Sequence, residues 1–381
     1  MNERIRGGVR SVAFTALAIL TAMFFGALVI IFSDSEALQA WGDFFQDPLG
    51  ALEASWDVAY GAYAALLDSS VNGIAPLSRT LTEMIPLLFA GLSVALAFRG
   101  GLFNIGAAGQ LMTGAICAAY VGFTYDLPAA LHLPLALLAG LVGGMVWGSI
   151  AGVLKAKTGA HEVISTIMLN FIALRLLDYL LSLESFQRTG RNDPITPPVA
   201  ETARLPELPG PFAVNAGLLL ALGAAVGVWW LLERSTIGFR MRAVGTNPDA
   251  AKAAGMGVAG TYLLTMALAG GLAGMAGTVN VLGRESFSVT GGFYAAIGFD
   301  AIALALVGRS RPGGVVAAAL LFGALKAGST GMQATTSIPV DIIVVIQAFI
   351  IVFVAAPTLV SAIWRVKAPA PRQQFSAGWG T

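Results

Sequence analysis

The sequence predicts an all-α integral membrane protein, one bundle of about ten transmembrane helices with both termini in the cytoplasm. Three observations lead there. The 381 residues are 56% hydrophobic and only 11% charged, with a mean hydropathy of +0.77. A soluble domain of that composition would be forced to expose apolar surface. Apolar windows near the roughly 20 residues that cross a bilayer recur along the chain, and the basic residues fall mostly on one side of them.

The windows lie at 12–32, 81–98, 102–122, 129–154, 163–182, 213–232, 260–281, 293–308, 314–334 and 340–360, the eighth being the shortest. The first follows MNERIRGGVR, a basic start like that of a signal peptide. Its apolar run is too long and lacks a small-residue cleavage site, so it reads as a retained anchor. With both ends inside, 15 of the 22 Lys and Arg residues are cytoplasmic, five are outside and two, Arg175 and Lys326, lie in spans. That bias favours this orientation. Two outer segments are long: 33–80, with a mildly amphipathic middle holding Trp41, Phe44, Phe45, Trp56 and Tyr60, and 183–211, a proline-rich ordered loop. The division is a single transmembrane domain, 1–365, with a cytoplasmic loop at 233–259, and a polar tail at 366–381 expected to be disordered.

Composition also excludes. A net charge of +1 gives no bulk attraction for nucleic acid. One cysteine, Cys117, and two histidines, His132 and His161, are too few for disulfides, a zinc site or Cys/His catalysis. No GxxxxGK[ST] loop is present, since GALKAGS at 323–329 lacks the order and spacing. Nor does a relay of Asp, Glu and His cross several spans, as a proton-driven carrier would need. Energy for uphill transport should then come from another subunit. Glycines 140, 144, 148 and 152 form a GxxxG ladder in the fourth span, and Gly270, Gly274 and Gly277 a similar face in the seventh. With so many spans to pack, tight packing within the bundle is favoured over a dimerisation motif.

Gly238 to Gly255, GFRMRAVGTNPDAAKAAG, is a long polar interruption on the cytoplasmic side. Asn247 can cap a helix, Pro248 suits its first position, Asp249 meets the positive end of the dipole, and Ala250, Ala251, Ala253 and Ala254 propagate it. Gly255 stops it. A helix of about two turns is not stable alone in water, so this one reads as a docking element held from both sides.

Polar residues at membrane depth are the candidates for a solute route. Asn104 and Gln110 sit among Gly100, Gly101, Gly106 and Gly109. Either the backbone there is irregular and lines a cavity, or it packs closely with Asn104 as a cap. Ser165, Thr166 and Asn170 share about one and a half turns of the fifth span, to be satisfied by neighbouring helices or a passing solute. Asp300 is a functional candidate or an ion-pair partner of Lys326 or Arg309. Asp341 suits a helix start, and Arg175 can pair with Asp178 three residues on.

Five stretches, ALAFRGGLFNIGAAGQ (95–110), HEVISTIMLNFIA (161–173), GFRMRAVGTNPDAAKAAGM (238–256), GFDAIALALVGRSRPGG (298–314) and IPVDIIVVIQAFIIVFVAAP (338–357), occur in an order that resembles permease subunits of bacterial ABC importers, in the simple-sugar and nucleoside branch. FNIGAAGQ is similar to the FNIGxEGQ of nucleoside-type permeases, with Ala108 where glutamate is usual, so no role of that carboxylate carries over.

The resemblance implies a type II-importer-like permease in the bacterial plasma membrane. Its partners would be a second permease, identical or related, a cytoplasmic ABC ATPase that binds the ATP and Mg²⁺, and a substrate-binding lipoprotein or periplasmic protein. The chain would need no cofactor of its own. Arg242, Gly245, Asn247, Pro248, Ala250, Ala251 and Gly255 would form the coupling helix, and Arg309 and Pro312 a second ATPase contact. Asn104, Gln110, Ser165, Thr166, Asn170 and Asp300 would line the route of a nucleoside, or of a simple sugar such as ribose or galactose. A self-sufficient carrier or channel is the rival class, and a membrane enzyme is disfavoured because catalytic groups do not cluster.

Overall fold

The computed structural model describes residues 2–190, 193–284, 286–290, 294–336 and 338–366, with backbone only at 2–12, 294 and 295. The expected tail beyond 366 lies outside them. In chain order the helices are α1 (Asn2–Ser33), α2 (Ser35–Gly42), α3 (Pro48–Val71), α4 (Ile74–Arg99), α5 (Ala107–Thr124), α6 (Ala129–Thr158), α7 (Glu162–Leu181) and α8 (Gly217–Arg234). They continue as α9 (Thr236–Thr246), α10 (Pro248–Ala253), α11 (Val258–Gly283), α12 (Tyr294–Val307), α13 (Pro312–Thr336), α14 (Asp341–Ala355) and α15 (Pro357–Trp364). Among the described residues the β content is two isolated bridges.

Among the described residues seven helices are long and apolar enough to cross a membrane: residues 13–33 of α1, then α4, α6, α7, α8, α11 and α13. The last expected span is broken, α14 and α15 meeting at 88°, and counts as an eighth if they are taken together. The break follows from Pro357, which cannot continue α14. The third and eighth windows became α5 and α12. α5 carries Gln110 and Thr113 among its buried residues and is enclosed by protein rather than lipid, while the apolar part of α12 is short.

The chain forms two compact units. Among the described residues one comprises 2–83 and 320–366 and the other 84–319, so their boundaries fall inside α4 and α13. In the first unit α1 packs on α14 through Phe25, whose ring lies 5.7 Å from Phe349 and 5.4 Å from Phe353. Trp364 of α15 donates to the Thr21 hydroxyl at 2.8 Å. Segment 33–80, read from the sequence as a long outer segment with a mildly amphipathic middle, holds two capped helices, α2 and α3. Asp34 accepts from the amides of Glu36 and Ala37, and Asp47 caps α3 with Pro48 at its first position. α3 buries Ala51, Ser55, Ala59, Ala62 and Leu66 and leaves Leu49, Trp56 and Tyr60 exposed.

The second unit is built on α5, α6 and α11 in mutual contact. The glycine ladder seals α6 to α11 inside this chain, as expected. A Cβ on Gly144 would lie 2.2 Å from the Gly270 carbonyl oxygen, and one on Gly148 2.4 Å from that of Met266. Gly114 brings α5 equally close to Gly274. The described part of the 183–211 segment, 193–211 above all, is held as an ordered loop: Thr196 N–H donates to the Val289 carbonyl, Val199 to Phe287 and Leu205 to Leu282. His132 holds it as well, with Nδ1 2.7 Å from the Thr202 hydroxyl and Nε2 3.0 Å from the Val121 carbonyl oxygen.

Candidate coupling and translocation site

Within 238–255 the helix expected from Asn247 to Gly255 is present as α10, while residues 238–246, for which no helix was expected, belong to the eleven-residue α9. Ser235 caps α9 by accepting from Gly238 N–H at 2.9 Å. Asn247 ends α9 and starts α10, its Oδ1 accepting from Ala250 N–H at 3.0 Å, with Pro248 at the first position and Asp249 in the first turn. Gly255, at φ +79°, closes α10. Its N–H donates to the Lys252 carbonyl and that of Met256 to the Ala251 carbonyl, both at 3.0 Å, the paired bonds of a Schellman stop. Only Ala251 of α10 is buried, while Asp249, Ala250, Lys252 and Ala253 face outward. One side of the helix is thus seated and the other open.

Above it, α4 ends in a second Schellman stop. Gly101 has φ +73°, its N–H donates to the Phe98 carbonyl at 3.1 Å, and that of Leu102 to Ala97 at 3.0 Å. Residues 100–106 are then non-helical: the backbone is irregular, as one alternative had it, and closely packed, as the other had it, but the N-cap of α5 is Gly106 and not Asn104. Asn104 and Gln110 are buried and pair with each other. Asn104 Nδ2 donates to Gln110 Oε1 at 2.9 Å, Gln110 Nε2 donates back at 3.2 Å, and Asn104 Oδ1 also accepts from Gly106 N–H. Asn170 of α7 brackets the same turn, its Nδ2 donating to the Ile105 carbonyl and its Oδ1 accepting from Gly109 N–H at 2.8 Å. Thr166 and Ser165 turn their hydroxyls back to the carbonyls of Glu162 and His161 within α7. Leu102 is fixed in an apolar cluster with Ala151, Leu169 and Met266.

On the α12–α13 side, Arg309 and Ser310 both take left-handed backbone, φ 53° and 49°, and Pro312 starts α13. Gly308 and Gly314 make the reversal possible by close approach, a Cβ on Gly314 lying 2.2 Å from the Gly308 carbonyl oxygen. Asp300 lies half-buried on α12. Two residues earlier, a Cβ on Gly298 would be 2.5 Å from that of Ala108, so α12 crosses α5 where the sequence has alanine. Among the described residues no group of three His, Cys, Asp or Glu could hold a metal.

This geometry has relatives. A family model described as branched-chain amino acid transport system, permease component, matches residues 77–355. The chain belongs to that family. The permease is 38% identical over 315 residues to the guanosine ABC transporter permease protein NupP of Bacillus subtilis (strain 168), covering 80% of this chain and 88% of NupP. It is 36% identical over 307 residues to the nucleoside ABC transporter permease protein NupB of Lactococcus lactis subsp. cremoris (strain MG1363), 78% of this chain and 84% of that one. The glucose ABC transporter permease protein TsgB13 of Haloferax volcanii is 35% identical over 302 residues, 77% and 79% of the two chains. No solved structure matches it significantly.

Two parts of the permease site escaped sequence reasoning. Glu233, in the last turn of α8, receives Arg99 from α4 and Arg242 from α9, both at 2.8 Å. Each exposed pair contributes about 0.2–1 kcal/mol, and the shared carboxylate adds geometry that one pair lacks. Gly245 of α9 lies against the end of α4, where a Cβ on it would be 2.6 Å from the Arg99 carbonyl oxygen and from Gly101 N. Glycine at 101 after a helix ending in arginine was a legible stop signal, but nothing local links it to Gly245.

Proposed function

We propose that this permease forms half of the translocation pathway of an ATP-driven importer for a nucleoside, purine or pyrimidine, in a bacterial plasma membrane. The observation that carries the substrate class is its 38% and 36% identity to a guanosine and a nucleoside permease over about four fifths of the chain. The fuller topology is part of the reading: ten membrane-inserted segments, α5 and α12 among them as short interior ones, with both termini cytoplasmic. Orientation rests on the basic residues clustered beside α9 and α10.

The coupling surface is α10 with Arg242 and Gly245 of the adjoining α9, and Arg309 and Pro312 at the α12–α13 turn are the second ATPase contact. A six-residue helix with one seated and one open face is stable only when covered, and the cytoplasmic ATPase is the proposed cover. Solute passes along α5, α7 and α12. Asn104, Gln110, Thr166 and Asn170 frame that route, with Ser165 and Asp300 as its polar positions. Weak contacts suit a route from which solute must leave. The second permease, identical or related, supplies the other half, and a binding protein delivers solute.

The test is uptake in proteoliposomes holding this chain, its second permease, the ATPase and the binding protein. ATP-dependent accumulation of radiolabelled guanosine or another nucleoside is expected, with no uptake by this chain alone. Gradient-driven transport by the single chain would overturn the reading. A simple sugar is the second reading, favoured by the 35% identity to a glucose permease, and glucose in the same assay decides between them.

A further inference from the structure

We infer that Gly101, Gly245 and Asn170 are positioning residues for coupled transport: a backbone seat between the two glycines carries movement of α9 and α10 into the 100–106 turn, and Asn170 carries it on to α7. The inference rests on the proposed ATP-driven role and adds the path by which a docked helix reaches the membrane interior.

The seat is backbone on backbone. A Cβ on Gly101 would lie 2.6 Å from the Gly245 Cα, and one on Gly245 would lie 2.6 Å from Gly101 N and 2.7 Å from the Gly100 carbonyl carbon. Contact of this kind has no rotatable side chain to absorb a displacement, and packed interiors transmit strain. Glu233 keeps the surfaces together by holding Arg99 and Arg242 at once.

What the seat presses on is a joint. Residues 102–105 are non-helical between the Gly101 stop and the start of α5. Their shape is held by side-chain amides: the reciprocal Asn104–Gln110 pair closes the turn on α5, and Asn170 grips the Ile105 carbonyl and the Gly109 N–H from α7. A methyl on Gly106 would lie 2.9 Å from Thr166 Cβ, so α7 follows the turn sterically too. Amides with donors and acceptors engaged at both ends hold a geometry, and such networks act as units.

The experiment uses the complete complex in liposomes and measures ATP hydrolysed per solute imported. Gly245→Ala keeps a helical backbone but forces the seat apart, and Asn170→Leu keeps the volume while removing both grips. Each is expected to raise the ratio about fivefold or more, with the ATPase still bound at wild-type stoichiometry. Gly260→Ala, at a helical position with nothing within 4 Å, is the control and should leave it unchanged. Hydrogen exchange of amides 100–110 should respond to a non-hydrolysable ATP analogue in the wild-type complex and not in Gly245→Ala. If Gly245→Ala fails to assemble, the wild-type exchange response and Asn170→Leu decide. A wild-type ratio in both variants, or no nucleotide response at 100–110, overturns the seat. Absence of ATP-driven uptake by the wild-type complex overturns instead the import reading beneath it.

Discussion

The carbonyl oxygen of Gly270 sits where a side chain on Gly144 would begin: a Cβ at 144 would be 2.2 Å from that oxygen and 2.6 Å from the Gly274 Cα. α6 and α11 therefore meet backbone to backbone, and the ladder works as an intramolecular joint. In lipid, where apolar side chains gain nothing by leaving one apolar surface for another, such close van der Waals contact is the main adhesive.

Gly144→Leu should separate the two helices at the centre of their unit. Overpacking a tight interior costs about 1–3 kcal/mol and more where only backbone faces the new atoms. A marked loss of thermal stability and yield in detergent is expected. Gly223→Leu and Gly227→Leu on α8, where nothing lies within 4 Å, are the matched controls and should behave as wild type. Equal stability of all three would remove the packing role of Gly144.

Gly255→Val tests the stop of α10. A β-branched residue at φ +79° is strained whatever the space, and Gly255 has open space around it, so the damage is confined to the cap. Expression and bundle stability should be preserved while ATP hydrolysis and uptake uncouple. Gly257→Val, at φ −74°, should keep coupling. Wild-type coupling in Gly255→Val would count against docking through this helix.

The parts legible in the sequence were those written locally. Asn247, Pro248 and Gly255 are a cap, a first position and a stop, and each acted as its residue type allows. Arg175 and Asp178, three apart, do pair, at 3.1 Å. The two helices α2 and α3 within 33–80 were equally local, with Asp34, Asp47 and Pro48 at their starts, but the sequence pattern there reads only as a mildly amphipathic middle. Other features needed the fold. Whether Asn104 faces solute or Gln110 depends on a non-helical turn that no periodicity reports. Helices enclosed by protein, such as α5, need not reach the hydropathy of helices that face lipid.

Ala108 stands where the FNIGxEGQ motif that this stretch resembles has glutamate, and the structure supplies a local reason for the small residue. It is 6% exposed, and its Cβ, Cα and N all lie within 2.9 Å of a Cβ built on Gly298. Ala108→Glu would drive a carboxylate into the α5–α12 crossing, with the desolvation cost of a buried charge. Low yield or a clear drop in melting temperature is expected, with Ala108→Ser tolerated. A stable Ala108→Glu protein would show that the crossing can open.

Tyr63 links α3 to α1 and makes alkaline stability testable. Its hydroxyl donates to the Met23 carbonyl at 2.6 Å. Burial pushes its pKa from the ordinary 10.0 up to about 12. The group is an acid whose folded pKa is raised, so its contribution is fully present below pH 10. It is lost as pH climbs from 10 towards 12, where the unfolded chain gives up the proton and the folded one does not. Tyr63→Phe removes both the hydrogen bond and the titration. At pH 8 the variant should be less stable by about 1 kcal/mol, the usual net value of one such bond. Between pH 10 and 12 the gap in melting temperature should close, because only the wild type has this proton to lose. A gap that stays constant across that window would mean that Tyr63 titrates as an exposed phenol.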